Sequence, residues 1–240
     1  MKPFSEMSDE ELEADDQLRQ AARFRTVRRA AVTPGHVLAV MTCAGREALF
    51  ERTLTSLNFN RWRGTIHLIR DELRVGHAQT FFNILRCAAA ITGFQRLTMF
   101  EDDVIAVRNA LDYIATTAID DDLVSASWFH IQAPLPRTDT VRWMVEPAST
   151  FSRTQAVTLP ARVVHRLLAS EQLRTWTEPH GADMIFSQVM PDEPVAYHFP
   201  NLVDHVAGLQ SLTGNTGLGA RTSPTFPGEN FDALDLTRTP

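Results

Sequence analysis

A chain of 240 residues with 44% hydrophobic content can bury one substantial core and is too short for two full domains. A formal net charge of −6 argues against a general polyanion binder, which needs clustered lysine and arginine, but leaves a specific DNA substrate open. Lys2 is the only lysine, so Schiff-base chemistry is not expected and the reactive groups are expected among the acids and histidines, with or without a metal ion. Cys43 and Cys87 show neither CxxC spacing nor a paired set and read as reduced packing residues. No run approaches the roughly 20 apolar residues of a membrane span, and no signal-peptide segment opens the chain, so the expected location is cytoplasmic.

Residues 8–29 read as a helix, with a Ser8/Glu11 capping box and Arg23, Arg25, Arg28 and Arg29 at the end that favours cations. After His36, the apolar run Val37–Met41 predicts a strand that ends in the loop Thr42–Arg46, followed by a helix through Leu49, Leu54 and Leu57. Thr65–Ile69 repeats the strand signal and runs into Arg70-Asp71-Glu72. Gly76 then precedes an amphipathic segment with Phe81, Phe82, Ile84, Leu85 and Ile91. Arg96–Phe100 predicts a third strand, which delivers Glu101-Asp102-Asp103 before a helix near Asn109–Thr117. Strands are further expected at Leu123–His130 and Ala156–Leu159, a loop near Pro134 and Pro136, and helices at Ala161–Ser170 and Ala182–Met190. This alternation implies an α/β fold with a mostly parallel, doubly wound sheet. The expected organisation is an N-terminal helical extension over 1–30, a catalytic domain over 31–212 and a Gly/Pro/Thr-rich tail over 213–240, ordered only by docking on something else.

In an open α/β sheet, ligands bind beyond the carboxyl ends of the strands. Three polar loops belong to that edge: Thr42–Arg46, Arg70–Glu72 and Glu101–Asp103. Three successive acids after a buried strand repel one another unless a positive group shares them. Mn2+ or Mg2+ would resolve the conflict, because these ions take carboxylate oxygens together with substrate phosphates.

The order of these features resembles the GT-A glycosyltransferases. The resemblance rests on the Thr/Arg loop after the first strand, a second strand ending in Asp71, the Gly76–Asn83 helix entry and the segment Leu97-Thr98-Met99-Phe100-Glu101-Asp102-Asp103-Val104, similar to their DXD-type motif. It covers residues 36–212 and implies a Rossmann-like GT-A domain that moves a sugar from a nucleoside-diphosphate sugar, most simply a UDP-sugar, to a hydroxyl acceptor. Carried over by residue, it makes Asp103 the metal ligand, Asp102 the ribose contact, Glu101 a supporting acid and Asp71 the nucleoside contact. Thr42 and Arg46 would border the base or diphosphate. Asp183, in His180-Gly181-Ala182-Asp183 at a helix start, matches the acceptor-activating base of inverting members, and an N-cap is its structural alternative. His205, in Pro200-Asn201-Leu202-Val203-Asp204-His205, matches a late histidine that returns to the metal. Trp62, Trp128, Trp143 and Trp176 could stack a sugar or base, although packing is the commoner use of tryptophan. The acceptor could be a glycan, a small molecule, a protein or a hydroxymethylated DNA base. The rival readings are a metal-dependent nucleotidyltransferase or phosphohydrolase, against which the absence of a Gly-rich loop or P-loop counts, and a non-catalytic nucleotide-binding module.

Overall fold

A computed structural model of the chain describes residues 25–28, 35–58, 65–71, 76–117, 125–130, 142–151, 154–176, 181–206 and 222–237. The elements are, in order, β1 (Arg25–Arg28), β2 (His36–Cys43), α1 (Glu47–Ser56), β3 (Thr65–Asp71), α2 (His77–Ala89), β4 (Arg96–Glu101) and β5 (Val104–Ala106). There follow α3 (Ala110–Thr116), β6 (Ser125–Ser127), β7 (Arg142–Pro147), β8 (Ala156–Pro160), α4 (Ala161–Ala169), α5 (Glu171–Arg174), α6 (Ala182–Val189), β9 (Pro194–Phe199) and β10 (Val203–His205).

The protein is α/β: among the described residues, helices flank an eight-stranded sheet of order β1-β3-β2-β4-β8-β6-β9-β7, and β10 and β5 form a separate ribbon. Strands β3, β2 and β4 are parallel neighbours, as the alternating pattern predicts. The sheet as a whole is mixed: β8 runs antiparallel to both β4 and β6, and β1 and β7 close the edges antiparallel to β3 and β9. A short strand such as β8 carries no signal of direction in its residues, so its reversal is set by connectivity.

Both faces of β2 are covered, which is why its sequence is continuously apolar. Val37, Ala39 and Met41 join Leu97, Met99, Val157 and Leu159 against α2, α4 and α6, through Phe81, Ile84, Leu85, Val163, Val164, Ile185 and Phe186. The alternate residues Leu38, Val40 and Phe100 face α1, α3 and Trp128. On that second face a buried polar chain crosses the strands: His36 Nε2 lies 2.8 Å from Thr98 Oγ1, Thr98 Oγ1 2.7 Å from Thr158 Oγ1, and Trp128 Nε1 donates to Thr158 Oγ1 at 2.9 Å. Gly35 feeds β2 at φ +84, and a side chain there would collide with the Gly93 carbonyl.

Two expectations are corrected. Arg25–Arg28, read as the basic end of a helix, form strand β1, whose backbone pairs with the outer edge of β3 from Arg25 opposite Leu68 to Arg28 opposite Thr65. Pairing satisfies an otherwise open edge and outweighs a local helix preference. The rest of that expected helix, and the Pro134/Pro136 loop, lie outside the described residues. Residues 222–237, expected to order only on something else, dock on the protein itself: Ala233 and Leu236 are buried, and Asp232 accepts from Asn109 Nδ2 at 2.9 Å and Arg108 Nε at 3.2 Å. Among the described residues, no helix is long and apolar enough to cross a membrane.

His198 on β9 sits in an aromatic cage of Tyr113, Trp128 and Trp143. Its Nδ1–H donates to the Pro200 carbonyl at 2.8 Å and its Nε2 accepts from the Tyr113 hydroxyl at 2.9 Å, so the neutral ring is satisfied at both nitrogens. Burial lowers its pKa from 6.5 to about 4. The unfolded chain therefore takes up this proton first on acidification. The stability that neutral His198 contributes is complete above the unfolded pKa of 6.5 and is lost as pH falls toward the folded value. The unfolding free-energy gap between wild type and His198→Gln should narrow by about 2 kcal/mol between roughly pH 7.5 and pH 5. Urea denaturation at the two pH values measures it, and a constant gap would contradict the buried neutral ring.

Candidate functional site at the carboxyl edge of the sheet

Parallel register brings the three polar loops to one edge: Cys43 lies opposite Asp71, and Met41 opposite Glu101. β4 ends at Glu101, and the chain turns through Asp102 and Asp103 into β5. The turn is fastened from behind by Thr53 of α1, whose hydroxyl lies 2.8 Å from the Asp102 carbonyl and 2.9 Å from that of Val104. From the other side β10 pairs with β5, His205 opposite Val104, and the Val206 amide donates to the Asp103 carbonyl at 2.8 Å. A residue about a hundred positions downstream thus sits beside the acidic turn.

Each acid has a different setting. Glu101 Oε1 accepts from Thr154 Oγ1 at 2.6 Å and from His77 Nε2 at 3.2 Å. Both oxygens of Asp102 are engaged, Oδ2 by Thr42 Oγ1 at 2.6 Å and Oδ1 by the Arg46 guanidinium at 2.8 Å. Burial nevertheless pushes the Asp102 pKa up to about 6, with neighbouring carboxylates adding to the rise and Arg46 and Thr42 opposing it. For Asp103, burial also raises the pKa, but the hydrogen bond and charge of His205, together with Arg46, hold it below the ordinary value. Asp103 Oδ2 is shared by the same Arg46 nitrogen at 2.7 Å and by His205 Nε2 at 3.3 Å. Asp103 Oδ1 is buried and has no hydrogen-bond partner among the described residues. His205 is correspondingly raised in pKa, burial being outweighed by the Asp103 hydrogen bond and charge.

Thr42, Arg46, Asp102, Asp103 and His205 therefore form one contact cluster, joined to Glu101 by chain continuity. Asp71 stands at the same edge but shapes the entry to α2, its Oδ2 accepting from the Gly76 amide at 3.0 Å. Asp183 lies in the first turn of α6, where Gly181 is the N-cap and the Asp183 carboxylate accepts from the Met184 amide at 2.9 Å. His77 is the link: its Nε2–H donates to Glu101, while its Nδ1 accepts from the Ala182 amide at 3.4 Å. Burial opposes a charged His77, but Glu101, Asp183 and Asp103 together raise its pKa. Among the tryptophans, Trp128 is wholly buried, Trp176 packs against the core, Trp143 is part of the aromatic cage, and Trp62 lies outside the described residues, as does His180.

His77, Thr53 and Thr154 belong to this neighbourhood without a motif to announce them, as does Asp204, whose segment the resemblance singles out for His205 alone. Asp204 Oδ1 accepts from the His205 and Ser223 amides at 2.8 and 2.7 Å, which fixes the ribbon to the C-terminal segment. Only His77, first in α2 after Gly76, carried a sequence signal, a histidine at the carboxyl edge of the sheet. Among the described residues, no group of three or more His, Cys, Asp or Glu side chains is arranged to hold a metal ion. Asp103 and His205 supply two donors side by side, and one carboxylate oxygen still lacks a partner. That suits an ion whose remaining ligands are phosphate oxygens and water.

No family model matches the chain, and no curated protein matches its sequence.

Proposed function

We propose that the chain is a metal-dependent, inverting GT-A glycosyltransferase that moves a sugar from a nucleoside-diphosphate sugar, a UDP-sugar in the simplest case, to an acceptor hydroxyl. The observation that carries the reading is the meeting of Asp103 with His205 beside a buried, unpartnered Asp103 Oδ1 at the carboxyl edge of the sheet. Asp103 and His205 would hold Mn2+ or Mg2+, which when bound stabilises charge on the departing diphosphate. Asp102, backed by Thr42, would face the ribose, and Asp71 the nucleoside. Glu101, held by Thr154 and His77, sets the floor of the turn. Asp183 takes the proton of the acceptor hydroxyl as that oxygen attacks the anomeric carbon from the side opposite the leaving diphosphate, which inverts the centre. The link from Glu101 through His77 to the start of α6 supports a base close to the donor site.

The direct test incubates the protein and Mn2+ with a panel of nucleoside-diphosphate sugars and with glycan, small-molecule, protein and hydroxymethylated-DNA acceptors, read by mass spectrometry. The expected result is nucleoside diphosphate released together with an acceptor heavier by one sugar. Nucleotide cleavage without any sugar–acceptor bond would move the reading to a phosphohydrolase, and metal-linked binding without turnover to a nucleotide-binding module.

A further inference from the structure

One guanidinium nitrogen of Arg46 touches both Asp102 Oδ1 and Asp103 Oδ2, and the side chain is nearly buried. Its Nε is also buried and has no hydrogen-bond partner among the described residues, and neither has Asp103 Oδ1, so the pairing leaves a polar atom unmet on each side. The oxygen it holds, Asp103 Oδ2, is the one next to His205 Nε2. Asp103 and His205, which would hold a divalent ion, include the carboxylate that the guanidinium already holds, and two cations on one carboxylate repel strongly in a partly buried site.

We propose that Arg46 is a displaceable counter-cation: it neutralises the acidic turn in the metal-free protein and leaves Asp103 when a divalent ion binds, its guanidinium then taking the diphosphate of the donor. This rests on the reading of Asp103 and His205 as the metal-holding pair. Several features favour exchange over a permanent ion pair. Arg46 stands at the N-terminal boundary of α1, after a Gly45 of positive φ, so its side chain springs from a turn. The turn keeps other supports when the guanidinium leaves, because Thr42, Thr53 and the Val206 amide hold Asp102 and the turn backbone independently. A guanidinium also presents a planar fork that suits paired phosphate oxygens.

Because the arginine and the ion compete for one carboxylate, metal and nucleotide must bind with positive coupling: each relieves the repulsion that the other would meet. Without nucleotide, Arg46 weakens metal binding. With nucleotide, it strengthens the complex.

The test titrates Mn2+ alone, then UDP with and without Mn2+, into wild type, Arg46→Gln and Arg46→Lys, with free Mn2+ read by electron paramagnetic resonance and UDP binding by calorimetry. Arg46→Gln should bind Mn2+ alone on the order of tenfold more tightly than wild type. It should bind UDP with Mn2+ about tenfold or more weakly, because a charge-assisted contact is gone. Its melting temperature should fall without Mn2+ and recover when Mn2+ is added. Arg46→Lys keeps the competing charge but not the planar fork: it should bind Mn2+ alone about as wild type does and UDP with Mn2+ more weakly, and it guards against a misfolded Gln variant. Mn2+ affinity of Arg46→Gln equal to that of wild type, a loss of stability that Mn2+ does not recover, or UDP binding with Mn2+ in Arg46→Lys equal to wild type makes Arg46 a fixed structural partner and overturns the exchange while leaving the metal site standing. Failure of every form to bind Mn2+, even with UDP, overturns the exchange and the metal-site reading together.

Discussion

Asp183→Asn should leave nucleotide-sugar binding nearly unchanged and slow transfer by about 10²–10⁴-fold, the usual cost of removing a general base. The substitution keeps the side chain's shape and its acceptor for the Met184 amide, so the start of α6 survives. What disappears is the negative charge beside His77, one of the influences that raise that ring's pKa. Donor affinity by calorimetry should be set beside single-turnover transfer with the acceptor found in the panel, and the anomeric configuration of the product read by NMR. Transfer at the wild-type rate in a folded variant, or a product that retains the donor configuration, would remove Asp183 from the chemistry and leave donor capture untouched.

Asp103→Ala should abolish the Mn2+-dependent part of nucleotide binding, a loss of at least about 100-fold, since even groups behind a metal's ligands are worth 10–100-fold in affinity. The fold should persist, because the turn is fastened through backbone atoms: the Asp103 carbonyl accepts from Val206, and the Asp102 carbonyl from Thr53. His205→Ala should cost less and show mainly at limiting metal, since carboxylate and phosphate donors remain. Calorimetry with and without Mn2+ on both variants decides it. Metal-linked affinity equal to wild type in folded Asp103→Ala would disqualify this carboxylate as the ligand.

The first half of the sheet is legible in the sequence because β2 and β4 are buried on both faces, so that Val37–Met41 is an unbroken apolar run and Leu97–Phe100 is apolar except for Thr98, each with polar residues at its carboxyl end. The second half is legible in part: the strands expected at Leu123–His130 and Ala156–Leu159 contain β6 and most of β8, but β7, β9 and β10 carry no such signal. β10 is three residues long, β9 opens on a proline and carries the polar His198, and β7 exposes Trp143 and Val145 at an edge. None offers a period long enough to read. Arg25–Arg28 show the opposite error, a helix-end charge pattern outcompeted by edge pairing. At the site, a strand ending in three acids is visible locally, and the family resemblance puts Thr42, Arg46 and His205 at the same site, but which oxygen each of them touches, and the part of His77, are not visible. His77 reaches Glu101 across 24 residues and Arg46 reaches Asp103 across 57, through contacts that exist only once the crossovers have stacked. No spacing rule spans such distances.

Residues 222–237 bear on the order in which the molecule assembles. Asp232 joins Arg108 across 124 residues, and Ser223 grips Asp204, the neighbour of His205. Contacts of such sequence separation form late, after loop closure has been achieved elsewhere. In a chain made from its N-terminus, the acidic turn exists as soon as β2 and β4 have paired, whereas the ribbon that seats His205 gains its last restraint only when Ser223 and Asp232 have been synthesised. The contacts that seat His205 at the edge of the sheet are therefore expected among the final events of folding.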